Sequence, residues 1–381
     1  MHKTVCKIVC FHLLNDFSGS PKVLSQAIDG LVQEGYTVDL FTCRNGDKGF
    51  LSGKKGVNYH YFSYRWSRFK WVTLFNFLWS QLNLMFRLLQ YRNQQVIFYV
   101  NTVLPFGAGL VGKLMGKRVV YHIHETSIKP ELFKRFLFGI AHWAADQKIH
   151  VSQYLLDQEE TDTERSEVIY NSLSQDFLEK ANKAKVVRSK PFTVLMLCSL
   201  KAYKGVIEFV RVAQQLPGLQ FELVLNASKE EIHTFFMHED IPGNLALFPS
   251  QSDVHPFYRR ASLVLNLSLP DQWVETFGLT ALEAMSYGLP VIVPPVGGIT
   301  ELVNHGENGY QMDPRDVGAT VEKIHELEAS KDLYHRLSEN ALSFSKDFSP
   351  GRFHRKIKHA LFSTREIHLD GRLNEHYEIL K

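Results

Sequence analysis

Short apolar runs alternate with amphipathic stretches along most of the chain, and the alternation starts twice. Residues 4–11 (TVCKIVCF) read as a buried strand. Val23, Leu24, Ala27, Ile28 and Leu31 then recur at helical spacing, Gly35 stops the helix, and residues 36–43 (YTVDLFTC) form the next strand. Strand, helix, strand in that order predicts a parallel sheet. Strands follow at 96–100, 118–123 and 148–151, with a helix at 106–115. Periodicity then fades into a run rich in Ala, Lys and Ser, and residues 179–191 (EKANKAKVVRSKP) read as a linker. Beyond it, strands at 192–197, 221–225, 245–248, 263–267 and 291–293 alternate with helices at 205–216, 279–287 and 320–327. The pattern predicts two α/β domains, at 1–185 and 186–350, with a ligand cleft between them. Residues 351–381 read as a closing helical segment.

Composition changes this picture in one respect. The chain has 381 residues, 45% apolar and 22% charged, an ordinary balance for two globular cores. Its net charge of +3 hides an asymmetry: residues 1–185 hold 23 Lys and Arg against 16 Asp and Glu, the remainder 20 against 24. No acidic residue lies between Asp47 and Glu125, where eleven basic ones do, and such a face suits an anionic partner. Residues 64–92 concentrate it, with five basic side chains, three Trp, and Leu74, Phe75, Leu78, Leu82, Met85 and Leu89 at helical spacing. This segment reads either as a core helix with a basic outer face or as an interfacial patch on anionic lipid. A nucleic-acid partner also suits a basic-aromatic patch, but the rest of the chain offers no such module. The four cysteines form no CxxC pair and read as reduced, buried thiols. The N-terminal apolar run is broken by Lys7 and does not read as a signal peptide, and no apolar run reaches the ~18 residues of a membrane span. The expected location is cytoplasmic, including the inner face of the plasma membrane.

The candidate chemistry lies at 275–313 (ETFGLTALEAMSYGLPVIVPPVGGITELVNHGENGYQMD). Glu275 precedes a helix start at Thr276, Phe277, Gly278 and Leu279. Free N–H groups and partial positive charge at a helix start suit a diphosphate, and Gly278 lets a ligand come close to the backbone. Glu283, inside the helix, is placed to accept both hydroxyls of a ribose, while Glu275 on the loop reaches sugar hydroxyls.

This segment resembles the retaining glycosyltransferases of family 4, with their GT-B fold of two facing Rossmann-like domains built on parallel sheets. Glu275, Phe277, Gly278, Glu283, Ala284, Met285, Gly288 and Pro290 match the family pattern E-x-F-G-x-x-x-x-E-A-M-x-x-G-x-P-V-I. The resemblance implies that Glu275 contacts the transferred sugar, that Glu283 holds the nucleotide ribose, and that the backbone of 276–279 holds sugar and phosphate. The family's G-R-L-x-x-x-K-G motif corresponds to residues 198–205 (CSLKAYKG), so Lys204 matches the lysine that neutralises the diphosphate. Ser199 stands at the arginine position, with Lys201 as a geometric substitute. In the first domain, Gly19 and Ser20 lie where the family has a glycine-rich turn near the phosphates. His124 lies where a histidine reaches the donor sugar, and residues 168–172 (VIYNS) resemble V-I-x-N-G.

The resemblance further implies a hexosyltransferase that retains configuration without metal or cofactor. Its donor is a nucleotide-diphosphate sugar bound by the second domain. Its acceptor, a glycan or lipid-linked glycan, lies on the first, and the pathway is bacterial surface polysaccharide (capsule, O-antigen or lipopolysaccharide) synthesis. The C-terminal segment is expected to cross back onto the first domain. Ser199 keeps an alternative open, a catalytically silent homologue acting as a binding or partner subunit. Gly107, Gly109 and Gly112 form a literal GxGxxG, but it falls after a late strand rather than the first, and helix-on-sheet packing accounts for it.

Overall fold

The computed structural model describes residues 7–44, 49–159, 163–183 and 191–363. Part of the linker reading (184–190) and part of the C-terminal one (364–381) lie outside them; within the former, residues 179–183 belong to the helix Gln175–Lys183.

Two parallel sheets organise the chain. The first contains β1 (Lys7–Phe11), β2 (Thr37–Cys43), β3 (Val57–Phe62), β4 (Val96–Asn101), β5 (Arg118–Ile123), β6 (Gln147–His150) and β7 (Ser166–Val168) in the order β3-β2-β1-β4-β5-β6-β7. The second contains β8 (Thr193–Ser199), β9 (Gln220–Asn226), β10 (Leu245–Phe248), β11 (Leu263–Leu265), β12 (Val291–Val293) and β13 (Gly309–Gln311) in the order β10-β9-β8-β11-β12-β13. Strand order reverses between β1 and β4 and again between β8 and β11, and ligands of open α/β sheets bind at such crevices. The central strands are buried on both faces, as parallel sheets covered by helices require.

The helix Phe106–Leu114 packs its glycines on this sheet. A Cβ at Gly109 would lie 2.0 Å from the Tyr121 hydroxyl, and one at Gly112 would lie 2.8 Å from Phe98 and Val119. These glycines touch protein, which is the packing role.

The helix Lys70–Leu88 corrects one reading of pattern. The face it buries carries Phe77, Ser80, Gln81, Leu84 and Leu88. Of the recurrent set read as a candidate core stripe, Leu74, Phe75, Leu78, Leu82 and Leu89 are exposed, and only Met85 packs partly against the core. Apolar residues cover both sides of this helix, so periodicity alone did not say which side met the sheet. Among the described residues no helix is long and apolar enough to cross a membrane.

The helix Pro350–Phe362 leaves the second sheet and packs on the helix Gly19–Gln33. Phe353, Ile357, Ala360 and Leu361 join the apolar cluster of β1, β2 and β4, and Arg118 donates to the carbonyls of Ala360 (3.0 Å) and Leu361 (2.7 Å).

Candidate active site

Four glycines shape the floor of the site. Gly205 (φ 74°) admits the backbone of Leu267, whose carbonyl would lie 2.1 Å from an added Cβ. Gly278 (φ 95°) is the N-cap of the helix Leu279–Ser286, and Gly297 and Gly298 interlock with the carbonyls of Glu275 and Thr276. The turn 275–279 is thus clamped against the turn at 297–298. As first residues of the helix, Leu279 and Thr280 carry N–H groups with no carbonyl a turn behind them. The Phe277 ring is buried, its centre 6.2 Å from that of Tyr170 and 6.0 Å from that of Phe348, so its backbone is what it offers a ligand.

Glu275 and Lys204 form an ion pair, and Ser268 Oγ donates to the same carboxylate oxygen at 2.8 Å. Burial pushes the Glu275 carboxyl up, but the Lys204 ammonium and bonds from Ser268 and Asn266 outweigh it and hold it below the usual range. Lys204 also lies 4.8 Å from the centre of the Trp273 ring, which stacks on Tyr203. Ser199 ends β8, with Lys201 exposed just beyond it.

Glu283 is only 4% exposed. One oxygen accepts from Tyr258 Oη at 2.6 Å, and the other pairs with Lys22 of the opposite domain. Gly19 begins the helix that carries Lys22, and a Cβ there would touch Leu279 at 3.5 Å. The structure therefore brings Glu275, Lys204, Glu283, Gly19 and the 276–279 turn to one meeting of the two domains.

His124 follows β5, one strand over from the switch point of the first sheet. Asn101 ties this corner together: its amide nitrogen donates to the Ser20 carbonyl (3.1 Å), and its oxygen lies 3.0 Å from His124 Nε2. With Asn101 Oδ1 the acceptor, His124 Nε2 carries the proton and Nδ1 is an acceptor. Burial, with His122 and His12 nearby, holds His124 well below the ordinary imidazole range. Burial takes His12 down to about 4 and His122 to about 3. This corner presents neutral hydrogen-bonding groups at pH 7, which suits hydroxyls rather than phosphates. Beside it, burial pushes the Glu125 carboxyl up to about 7 against the N–H bond from His124.

Two family models divide the chain. Glycosyltransferase Family 4 matches residues 17–176, and Glycosyl transferases group 1 matches residues 179–344. The chain belongs to glycosyltransferase family 4. An uncharacterized glycosyltransferase of Methanocaldococcus jannaschii is 27% identical over 255 residues, 64% of this chain and 69% of that one. With the sucrose-phosphate synthase of Zea mays the match is 35% over 106 residues, 27% of this chain and only 10% of the plant protein. Among solved structures, Anabaena HepE in complex with UDP and glucose has a TM-score of 0.76 at 19% identity, covering 94% of this chain and 100% of that one. That likeness establishes the GT-B fold.

Several residues of this family 4 glycosyltransferase's site carried no local sequence signal. Lys22 meets Glu283 across 261 positions, Tyr258 across 25, and Asn101 meets His124 across 23. Glu301 accepts the N–H groups of Gln153 (2.9 Å) and Tyr154 (2.7 Å), holding the two domains together behind the site. Gly278→Ala is expected to lower stability by at least ~2 kcal/mol, since a left-handed non-glycine costs about 1–2 kcal/mol before its Cβ meets Ile299. A denaturant titration checks this, and an unchanged midpoint would show that the turn relaxes freely.

Proposed function

We propose that the enzyme transfers a hexose, with retention, from a nucleoside-diphosphate sugar to a lipid-linked glycan in surface polysaccharide synthesis. The observation that carries the donor reading is the pair of carboxylates around one backbone turn. Glu275 on the loop is tied to Lys204, and Glu283 inside the helix is buried and reached from the other domain. In the proposed reaction the bond from the anomeric carbon to the β-phosphate oxygen breaks, and its electron pair stays on the diphosphate. The acceptor hydroxyl oxygen forms the new bond on the same face, and its proton passes to the leaving diphosphate. Lys204 and the N–H groups of 279–280 stabilise the departing charge, Glu275 positions the sugar, and His124 takes a hydrogen bond from a sugar hydroxyl. The step needs no metal or cofactor. A melting-shift screen of UDP-, GDP- and ADP-sugars tests the reading. At least one is expected to raise the melting temperature, and a screen with no shift overturns it in favour of a silent homologue.

The first domain supports a membrane-bound acceptor. Trp66, Trp71, Phe75, Trp79 and Phe86 project from the helix Lys70–Leu88 and its entry, with Trp71 83% exposed. The neighbouring helix Glu131–Ala144 touches it through Phe77 and Phe133 (5.5 Å) and exposes Leu132, Phe136 and Trp143. Arg65, Arg68 and Lys70 flank this face, and the stretch from Lys48 to His124 has no carboxylate side chain to repel an anionic bilayer. Each basic residue near such a surface is worth about 1 kcal/mol. Replacing all three with Glu is therefore expected to weaken binding to phosphatidylglycerol vesicles by roughly 10²-fold or more, with phosphatidylcholine vesicles as the control. Undiminished binding would remove the lipid partner.

A further inference from the structure

For a diphosphate the motif at 198–205 offers only Lys204 and the exposed Lys201. Ser199 is uncharged where the family pattern has arginine, and Lys204 is already engaged by Glu275. The first domain supplies a cation beside Glu283. Lys22 is the fourth residue of the helix Gly19–Gln33, whose first turn holds no acidic side chain to compete with an anion. Its ammonium pairs with Glu283 and lies 5.4 Å from the centres of both the Phe50 and Phe177 rings. Lys22 is thus walled by aromatic faces, and the carboxylate it holds is the one assigned to the ribose.

We infer that Lys22 is a diphosphate ligand supplied by the first domain: it pairs with Glu283 before the donor binds and passes to the donor's phosphates when the ribose takes that carboxylate. The inference rests on the donor reading above. A ribose diol accepted by Glu283 removes the counter-charge of Lys22. The nearest anion then available is the diphosphate, covalently attached to that ribose and ionised at neutral pH. The lysine stem is four carbons long and flexible, so the ammonium can follow a short displacement while the helix stays in place. The aromatic faces favour a cation in either position. Charge for the leaving group would then come from both domains, so leaving-group stabilisation would require them to be closed. Lys22 also becomes a competitor for the ribose site, because Glu283 must exchange it for hydroxyls.

These two roles have opposite signs in a binding experiment. Wild type, Lys22→Met and Lys22→Arg are titrated calorimetrically with UDP, GDP and ADP, and with the matching nucleosides. If no diphosphate binds the wild type, the donor reading fails before any variant is compared. For a diphosphate that does bind, Lys22→Met is expected to weaken it by roughly tenfold or more, the loss of a charge-assisted contact. The matching nucleoside should bind no more weakly, because its competitor for Glu283 is gone. Lys22→Arg should stay within a few-fold of wild type for the diphosphate. A Lys22→Met protein that binds the diphosphate as well as wild type, or more tightly, overturns the inference and leaves Lys22 as a latch on Glu283 alone. Circular dichroism at the titration temperature confirms that the variants compared are folded.

Discussion

Replacing Glu283 with alanine abolishes the thermal shift produced by the donor and lowers transfer by ~10²-fold or more. Two ribose hydroxyls given to one carboxylate are hydrogen bonds to a charged group, each worth about 1.5–3 kcal/mol. Burial sharpens the effect, since a residue 4% exposed leaves little room for water to substitute. The empty protein also loses stability, because Lys22 and the Tyr258 hydroxyl lose their shared acceptor. Breaking a fully buried pair costs about 3–5 kcal/mol; here the figure is smaller, since the Lys22 side chain keeps 19% of its exposure. The thermal shift is therefore referred to each protein's own melting temperature. A variant that keeps the wild-type shift would remove Glu283 from the donor site.

Lys204→Ala is the second large effect, and its signature is in pH as well as rate. Removing one preorganised charge from a leaving group typically lowers kcat by about 10²–10³-fold. In the wild type, the Glu275 carboxyl is held below its usual range against the opposing effect of burial. A depressed carboxylate contributes stability that is present above the unfolded-state value of about 4.3 and is lost as pH falls through the folded one. Without Lys204 the counter-charge is gone while burial and the bonds from Ser268 and Asn266 remain, so the folded value rises. The variant therefore lacks stability that the wild type gains as pH rises toward neutral. Denaturant midpoints between pH 4 and pH 8 are expected to show a difference between wild type and variant that grows toward neutral pH. A constant difference would mean that Lys204 does not govern the charge of Glu275.

The alternation of apolar strands and amphipathic helices was enough to read two parallel sheets, because strands buried on both faces are continuous apolar runs. What escaped was short, half-exposed or ambiguous. β3 (VNYHYF) is an edge strand with polar side chains, β7 and β13 have three residues each, and the helix Lys331–Ser345 turns a mostly polar surface outward. Within the site, the turn residues were legible because a positive-φ glycine, a helix start and two spaced carboxylates are local facts. Lys22, Tyr258 and Asn101 were not, since nothing near a lysine in one domain announces a glutamate in the other. Ser199 was legible as a gap with Lys201 two residues on, while the pairing of Lys22 with Glu283 became visible only when the two sheets were brought face to face.

The helix Pro350–Phe362 gives the chain an order of assembly. Its Phe353, Ile357 and Leu361 fill the groove beside β1, β2 and the helix Gly19–Gln33, all made before the second domain. On the ribosome the first sheet emerges with that groove empty, and it stays empty until residue 362 has been made. Throughout that interval the nascent chain carries a bare apolar furrow, and the second domain must be complete before its own tail can cover it.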